Sequence, residues 1–312
     1  MIRPTEKTEF DAIVAILKAS NVGLGSLKGV ASGAAQTALA EQILESKRRI
    51  RYIDVLRQNG QSDIWLQKES FDPIRGALFL ASTGDLDEAC WLVFLSVHFG
   101  KHRRGGWNLA RDTYFAFGLE RSWDWHSTSA NPEEFHSWLS AHQARFAQKD
   151  AIRHFGNHRK YESLKANSNR GTSKVFASYV MWVGHNRGHG GLIADAQTVA
   201  GGSPEALFDY LYHSMDVVTS FGRTAKFDYL TMIGKLGLAP IRPGSPYLAG
   251  ATGPLRGARL LIDGNAESAT TVAALEPIII GLGNELGVGM QEMEDALCNW
   301  QKSQNNFVAF RG

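Results

Sequence analysis

Only two cysteines, Cys90 and Cys298, occur in 312 residues, each inside an apolar helical pattern. Too few for a disulfide framework, they read as free, buried thiols in a reducing compartment. No Cys-x-x-Cys pair exists, and the ten histidines form no His-Glu-x-x-His motif. Nothing therefore has the spacing of a zinc or iron–sulfur site, and no metal is expected. The longest apolar runs, 89–97 and 277–282, are far too short to span a bilayer, and residues 1–14 lack an apolar stretch of signal length. A cytoplasmic protein with no membrane partner is expected. Neither charge sign dominates, at a net +2, so any nucleic-acid surface has to be local. Internal repeats are absent and strand signals are short and scattered, which leaves an all-α fold.

What is present is helical punctuation. Residues 5–20 and 36–58 read as helices, the second ending in Lys47, Arg48, Arg49 and Arg51, ordinarily a solvated face. Asp72 followed by Pro73 has the form of an N-cap and first helical residue. It starts a new unit, giving an N-terminal helical segment (1–70) and a main helical domain (71–312). Residues 85–99 form a core helix through Ala89, Trp91, Leu92, Phe94 and Leu95, with Asp85 as a cap candidate. At its exit stand His102, Arg103, Arg104, Gly105, Gly106 and Trp107. Cations there suit phosphates and Trp107 suits base stacking. The plainer reading is a helix C-terminus whose dipole favours cations.

Three further stretches carry chemistry. Residues 155–163 (FGNHRKYES) pack Asn157, His158, Arg159, Lys160, Tyr161 and Glu162 behind a glycine. Asn157 has a face that can read a base edge, the cations suit phosphate and Tyr161 suits stacking. Residues 205–237 read as two helices joined at Ser220, Phe221 and Gly222, with Gly222 available for a positive φ. The second helix then starts at Arg223 and Thr224, its first N–H groups facing outward. Residues 253–261 (GPLRGARLL) form a glycine-rich, backbone-cradling segment with Arg256 and Arg259. They lead to an Asp263-Gly264-Asn265 turn. Residues 184–191 read as a loop by composition. The tail from 273 to 298 reads as one broken helix or two, followed by Trp300.

The hairpin resembles the helix-hairpin-helix of the DNA glycosylase superfamily. There the glycine region grips backbone phosphates and a Thr-Ala pair packs the second helix. Gly222, Arg223, Thr224 and Ala225 stand in those places. Where strand-cutting members carry a lysine nucleophile this chain has Arg223, which stays protonated and forms no Schiff base. Taken with 155–163, 220–238, 250–261 and 297–303, the chain resembles the alpha-glutamyl/putrescinyl-thymine pyrophosphorylase-like family, from about residue 71 to the C-terminus. That resemblance implies a helical glycosylase-like fold of two lobes around a cleft. It also implies the activity of its antiphage members, which excise a glucosylated hydroxymethylcytosine from phage DNA. DNA with modified bases is the implied partner, and no cofactor is implied.

The superfamily's catalytic aspartate has no counterpart: its expected place falls on Ile241, Arg242 and Pro243. Asp228, Asp263 and Glu162 remain the candidates for the acid. Gly222, Arg223, Thr224, Lys226, His102, Arg103, Arg104 and Arg256 are the expected DNA contacts. Asn157, His158, Arg159, Tyr161, Trp107 and Trp300 are the expected base pocket. The expected product is an abasic site. Two alternatives stand beside it: displacement of pyrophosphate from an activated hydroxymethylpyrimidine in DNA, and a non-catalytic module that binds modified DNA.

Overall fold

The computed structural model describes residues 2–23, 27–59, 62–119 and 121–309. Among them are fifteen α-helices and no strand; the only bridges pair His102 with Gly106 and Ser163 with Gly171. The fold is all-α. In chain order the helices are α1 (Lys7–Gly23), α2 (Gly33–Asn59), α3 (Pro73–Thr83), α4 (Leu86–Phe99), α5 (Asn108–Tyr114), α6 (Trp125–Ala130), α7 (Pro132–Ala141), α8 (Gln143–Phe146), α9 (Thr172–Val183), α10 (Gly188–Ala200), α11 (Pro204–Ser214), α12 (Arg223–Leu236), α13 (Gly253–Asp263), α14 (Val272–Leu286) and α15 (Met290–Trp300). Two compact units result, one of Met1–Ile53 with Pro243–Gly312, the other of Asp54–Arg242. The sequence boundary near residue 70 lies inside the second.

The first unit closes around Leu17, Leu39, Ile43, Leu261, Leu282 and Trp300, all inaccessible to solvent. Its basic cluster is not loose surface. Arg48 meets Glu6 at 2.6 Å, Lys47 meets Glu9 at 2.5 Å, and Arg49 pairs with Asp295. Helix α13 crosses α15 so closely that a Cβ on Gly257 would stand 2.3 Å from the Leu297 carbonyl oxygen. One on Gly253 would meet the Cys298 sulfur at 2.6 Å. These glycines serve helix packing inside a helix, which corrects their reading as a cradling loop. Cys298 is half-buried, whereas Cys90 is fully enclosed. The tail is two helices, α14 and α15, bent by 109°. No single helix among the described residues is long and apolar enough to cross a membrane.

The second unit is organised on α4, whose residues 89–99 are all buried. Its start is capped by Asp85, which accepts from the Glu88 amide at 3.1 Å. Asp72 caps α3 through the Ile74 and Arg75 amides, with Pro73 at the first helical position. Aromatic rings fill the space around α4. Phe94 stacks on Tyr179 at 3.8 Å, and Trp91 meets Phe176 edge-on at 4.9 Å. Each such side chain contributes roughly 1.5–3 kcal/mol by leaving water. The loop expected over 184–191 is half helix: α10 starts at Gly188. There the Asp87 carboxylate accepts from the His189 amide at 2.6 Å. A side chain on another helix supplies this cap, so local composition gave no sign of it.

Candidate functional site

Helix α4 ends at Gly100, and the chain returns to that end at Gly156. The Gly156 amide donates to the Phe99 carbonyl at 2.7 Å. A Cβ on Gly156 would stand 2.8 Å from the Gly100 carbonyl carbon, so only glycine permits this approach. It sets the short 3-10 turn Asn157–Arg159 over the end of α4. Arg159 Nε donates to the Val97 carbonyl at 2.7 Å, one of the groups a helix C-terminus leaves without an internal donor. With its head held there, Nη2 donates to Asp228 Oδ2 at 3.0 Å.

Asp228 lies in the second turn of α12. The connection from α11 runs through a 3-10 turn, Met215–Val217, and then a turn containing Ser220 and Gly222. Ser220, not Gly222, takes the left-handed conformation, with φ 58° against −73°. That corrects the expectation that glycine supplied it. A serine in this region costs about 1–3 kcal/mol and persists only where its surroundings hold it. Here the Thr219 amide donates to Ser178 Oγ at 2.9 Å and Arg170 Nε donates to Ser220 Oγ at 3.2 Å. Phe221 is buried against Phe94 and Tyr229.

Asp228 leaves 48% of its side chain open, so it is held by Arg159 yet reachable from solvent. Protein packed around it pushes its carboxyl above the ordinary range, while Arg159, Arg223, His158 and Lys235 pull it back. Glu162 follows the same pattern. Burial raises it, and Arg159 and Arg170 oppose. Two carboxyl groups of raised pKa thus share one arginine, within a surround of cations. Such a place can bind an anion, and its raised carboxyl groups can exchange a proton. The neighbouring His98 is buried and neutral, pushed down to about 3 by burial and by Arg159. Because Thr172 Oγ1 donates to the Ser163 carbonyl at 3.0 Å, His98 Nε2 carries the proton it shares with Thr172 at 3.1 Å.

Apart from His158 and Arg223, whose charges act on Asp228, the other expected residues scatter. Asn157, His158 and Thr224 are exposed, and Tyr161 is 87% exposed, standing off the surface. Arg223 lies over the Phe227 ring at 4.7 Å. Lys226 turns inward to Asp216 and the Tyr212 ring and is buried. His102 Nδ1 accepts from the Gly105 amide at 3.0 Å in a tight turn that leaves Arg103 and Arg104 exposed. Trp107 is half-buried, its indole donating to the capping Asp72 at 3.2 Å. In the first unit, Asp263 closes α13 and accepts from Ser268, and Arg256 pairs with Glu267. Trp300, expected in a base pocket, has no exposed surface, and its indole donates to the Gln304 carbonyl at 2.9 Å.

In the sequence Arg170 carried no role and Ser220 only a place in the hairpin link, and the buried chain of Asp87, His189, Tyr179 and Tyr229 was not joined. In that chain His189 Nδ1 meets Asp87 at 2.7 Å, and Tyr179 links His189 Nε2 to the Tyr229 hydroxyl at 2.7 Å each. Nothing in spacing joins residues so far apart. Among the described residues no three His, Cys, Asp or Glu side chains converge as metal ligands would. Residues 34–312 match the family model described as alpha-glutamyl/putrescinyl thymine pyrophosphorylase clade 3. No curated protein and no solved structure matches the chain.

Proposed function

Because the chain belongs to the alpha-glutamyl/putrescinyl thymine pyrophosphorylase clade 3 family, we propose that it acts on a hypermodified pyrimidine in DNA. The reaction displaces pyrophosphate from an activated hydroxymethyl group. The observation that carries this reading is Asp228, a reachable carboxylate paired with Arg159 and within the field of Arg223, His158 and Lys235. An amine attacks the methylene carbon on the base, the carbon–oxygen bond to diphosphate breaks, and diphosphate leaves with the electron pair. Asp228 or Glu162 takes the proton from the amine, and the cations stabilise the charge gathering on the leaving group.

Excision of the whole modified base is the second reading, favoured by the same reachable carboxylate, which can face an oxocarbenium-like sugar. The surplus of cations weighs against it, because that sugar is itself positive. Arg223 in place of a lysine gives this reading an abasic site and no covalent adduct.

The test uses duplexes carrying a diphosphate-activated hydroxymethyluracil, with putrescine or glutamate as the amine. Diphosphate release and the mass of the base are measured. Parallel duplexes carry glucosylated hydroxymethylcytosine, with alkali cleavage reporting abasic sites. Diphosphate release with an amine-adducted base supports the proposal. Abasic sites alone move the assignment to a glycosylase, and tight binding without turnover moves it to a recruiting module.

A further inference from the structure

Helix α4 reaches α12 by two routes, and they end on adjacent residues. From its C-terminal end the Val97 carbonyl holds Arg159, which holds Asp228. From its N-terminal end Asp87 holds His189, which meets Tyr179, which meets Tyr229. The second route is fully inside the protein beyond Asp87: His189 is 1% exposed and both tyrosines are at 0%.

The hydrogen bonds of this chain have one direction. The Asp87 carboxylate only accepts, so His189 Nδ1 carries the imidazole proton. Nε2 is then an acceptor, and the Tyr179 hydroxyl donates to it. That spends the Tyr179 proton, so the Tyr229 hydroxyl donates to Tyr179. Four helices are joined: α4 through Asp87, α10 through His189, α9 through Tyr179 and α12 through Tyr229. The Tyr229 ring is also gripped by Tyr179, Trp182 and Phe221, at 5.8, 6.3 and 6.2 Å between centroids.

Consecutive residues of a helix lie about 100° apart around its axis, from its 3.6 residues per turn. Fixing the direction of Tyr229 therefore fixes that of Asp228. We infer that Tyr179, His189 and Tyr229 are positioning residues, which set the rotation of α12 so that Asp228 faces Arg159. Their role in turnover rests on the function proposed above; their hold on Asp228 does not.

Tyr179→Phe and Tyr229→Phe keep the rings and remove the hydroxyls. Carboxyl carbon resonances are followed against pH in the full chain, with Asp228 identified by its loss in Asp228→Asn. Both variants are expected to move the Asp228 titration midpoint away from its wild-type position. Leu139→Ala, a core truncation in α7, controls for lost stability and is expected to leave the midpoint in place. Unmoved midpoints in both tyrosine variants, or an equal movement in Leu139→Ala, would overturn the inference. If Tyr179→Phe does not fold, Tyr229→Phe, which removes a single hydrogen bond at the end of the chain, decides. In turnover, about a tenfold fall in kcat is expected, with DNA affinity within about twofold, as for a misplaced catalytic group. A wild-type protein without turnover but with movable midpoints would discard the proposed reaction and keep the positioning role.

Discussion

Gly156 lies against Gly100 with no room for a Cβ between them: the added carbon would stand 2.8 Å from the Gly100 carbonyl carbon. The contact is backbone on backbone, so no side chain can rotate away to relieve it. Everything Arg159 does depends on this approach, three residues upstream.

Gly156→Ala is therefore expected to lift the 157–162 segment from α4. The variant should lose on the order of 1–3 kcal/mol in a denaturant melt, the range for overpacking a tight contact. It should also lose activity far beyond that of a surface alanine in the same segment. Equal stability to the wild type would show that the backbone accommodates the methyl.

Asp228→Asn and Glu162→Gln separate the two carboxyl groups. The one that takes the proton should cost about 10²–10⁴-fold in turnover with DNA affinity retained, and the other much less. Both groups are raised by burial. A base works when ionised, so the rate should fall as pH falls through a midpoint above that of a free carboxylate, and a pH–rate profile measures this.

Glu88 predicts a stability effect. It accepts from the Tyr114 hydroxyl at 2.8 Å and the Trp125 amide at 2.7 Å. Burial first, then Asp124 and Asp85, push its carboxyl up to about 8. The folded protein keeps a proton that the unfolded chain releases in the usual glutamate range. Its stabilising share is thus full below about pH 4.5 and is lost as pH rises to about 8. Glu88→Gln should flatten that slope in melts between pH 5 and 8, gaining on the order of a few kcal/mol at the alkaline end. An unchanged slope would show that Glu88 is ionised in the fold.

Lys160 and Lys226 should differ in DNA binding. Lys160 is exposed beside Tyr161, while Lys226 is buried on Asp216. Lys160→Ala should weaken DNA binding and reduce its salt dependence by about one phosphate contact. Lys226→Met should leave the salt slope alone. Fluorescence anisotropy over a range of salt concentrations measures both, and a loss of slope in Lys226→Met would place that amine at the DNA.

The helical framework was legible where a signal is local. Asp72 before Pro73 and Asp85 before α4 each cap a helix as their residue types suggest. Glycine was the ambiguous letter. Composition alone does not separate a glycine that bends the chain from one that lets two backbones touch. Gly257, read as part of a backbone-cradling segment, is a glycine that lets two helices touch, and Ser220 took the conformation assigned to Gly222. Trp300 shows the same limit, since an aromatic near polar residues can face either way. The sequence singled out Arg159 and Asp228 separately. Their pairing depends on the end of α4, where Val97 has no local signature.

The first unit takes α1 and most of α2 from one end of the chain and α13, α14 and α15 from the other. On the ribosome, Phe10, Ile13, Leu17, Leu39 and Ile43 emerge early, while the surfaces that will cover them do not yet exist. The 189 residues from 54 to 242 must come first. At about 5–20 residues per second that is a delay of roughly ten to forty seconds. The continuous second unit can close during that time, so the site around Asp228 can be finished before the N-terminus has anything to fold against. Truncations that remove the last helices should therefore leave a folded second unit with an apolar, chaperone-binding N-terminal tail.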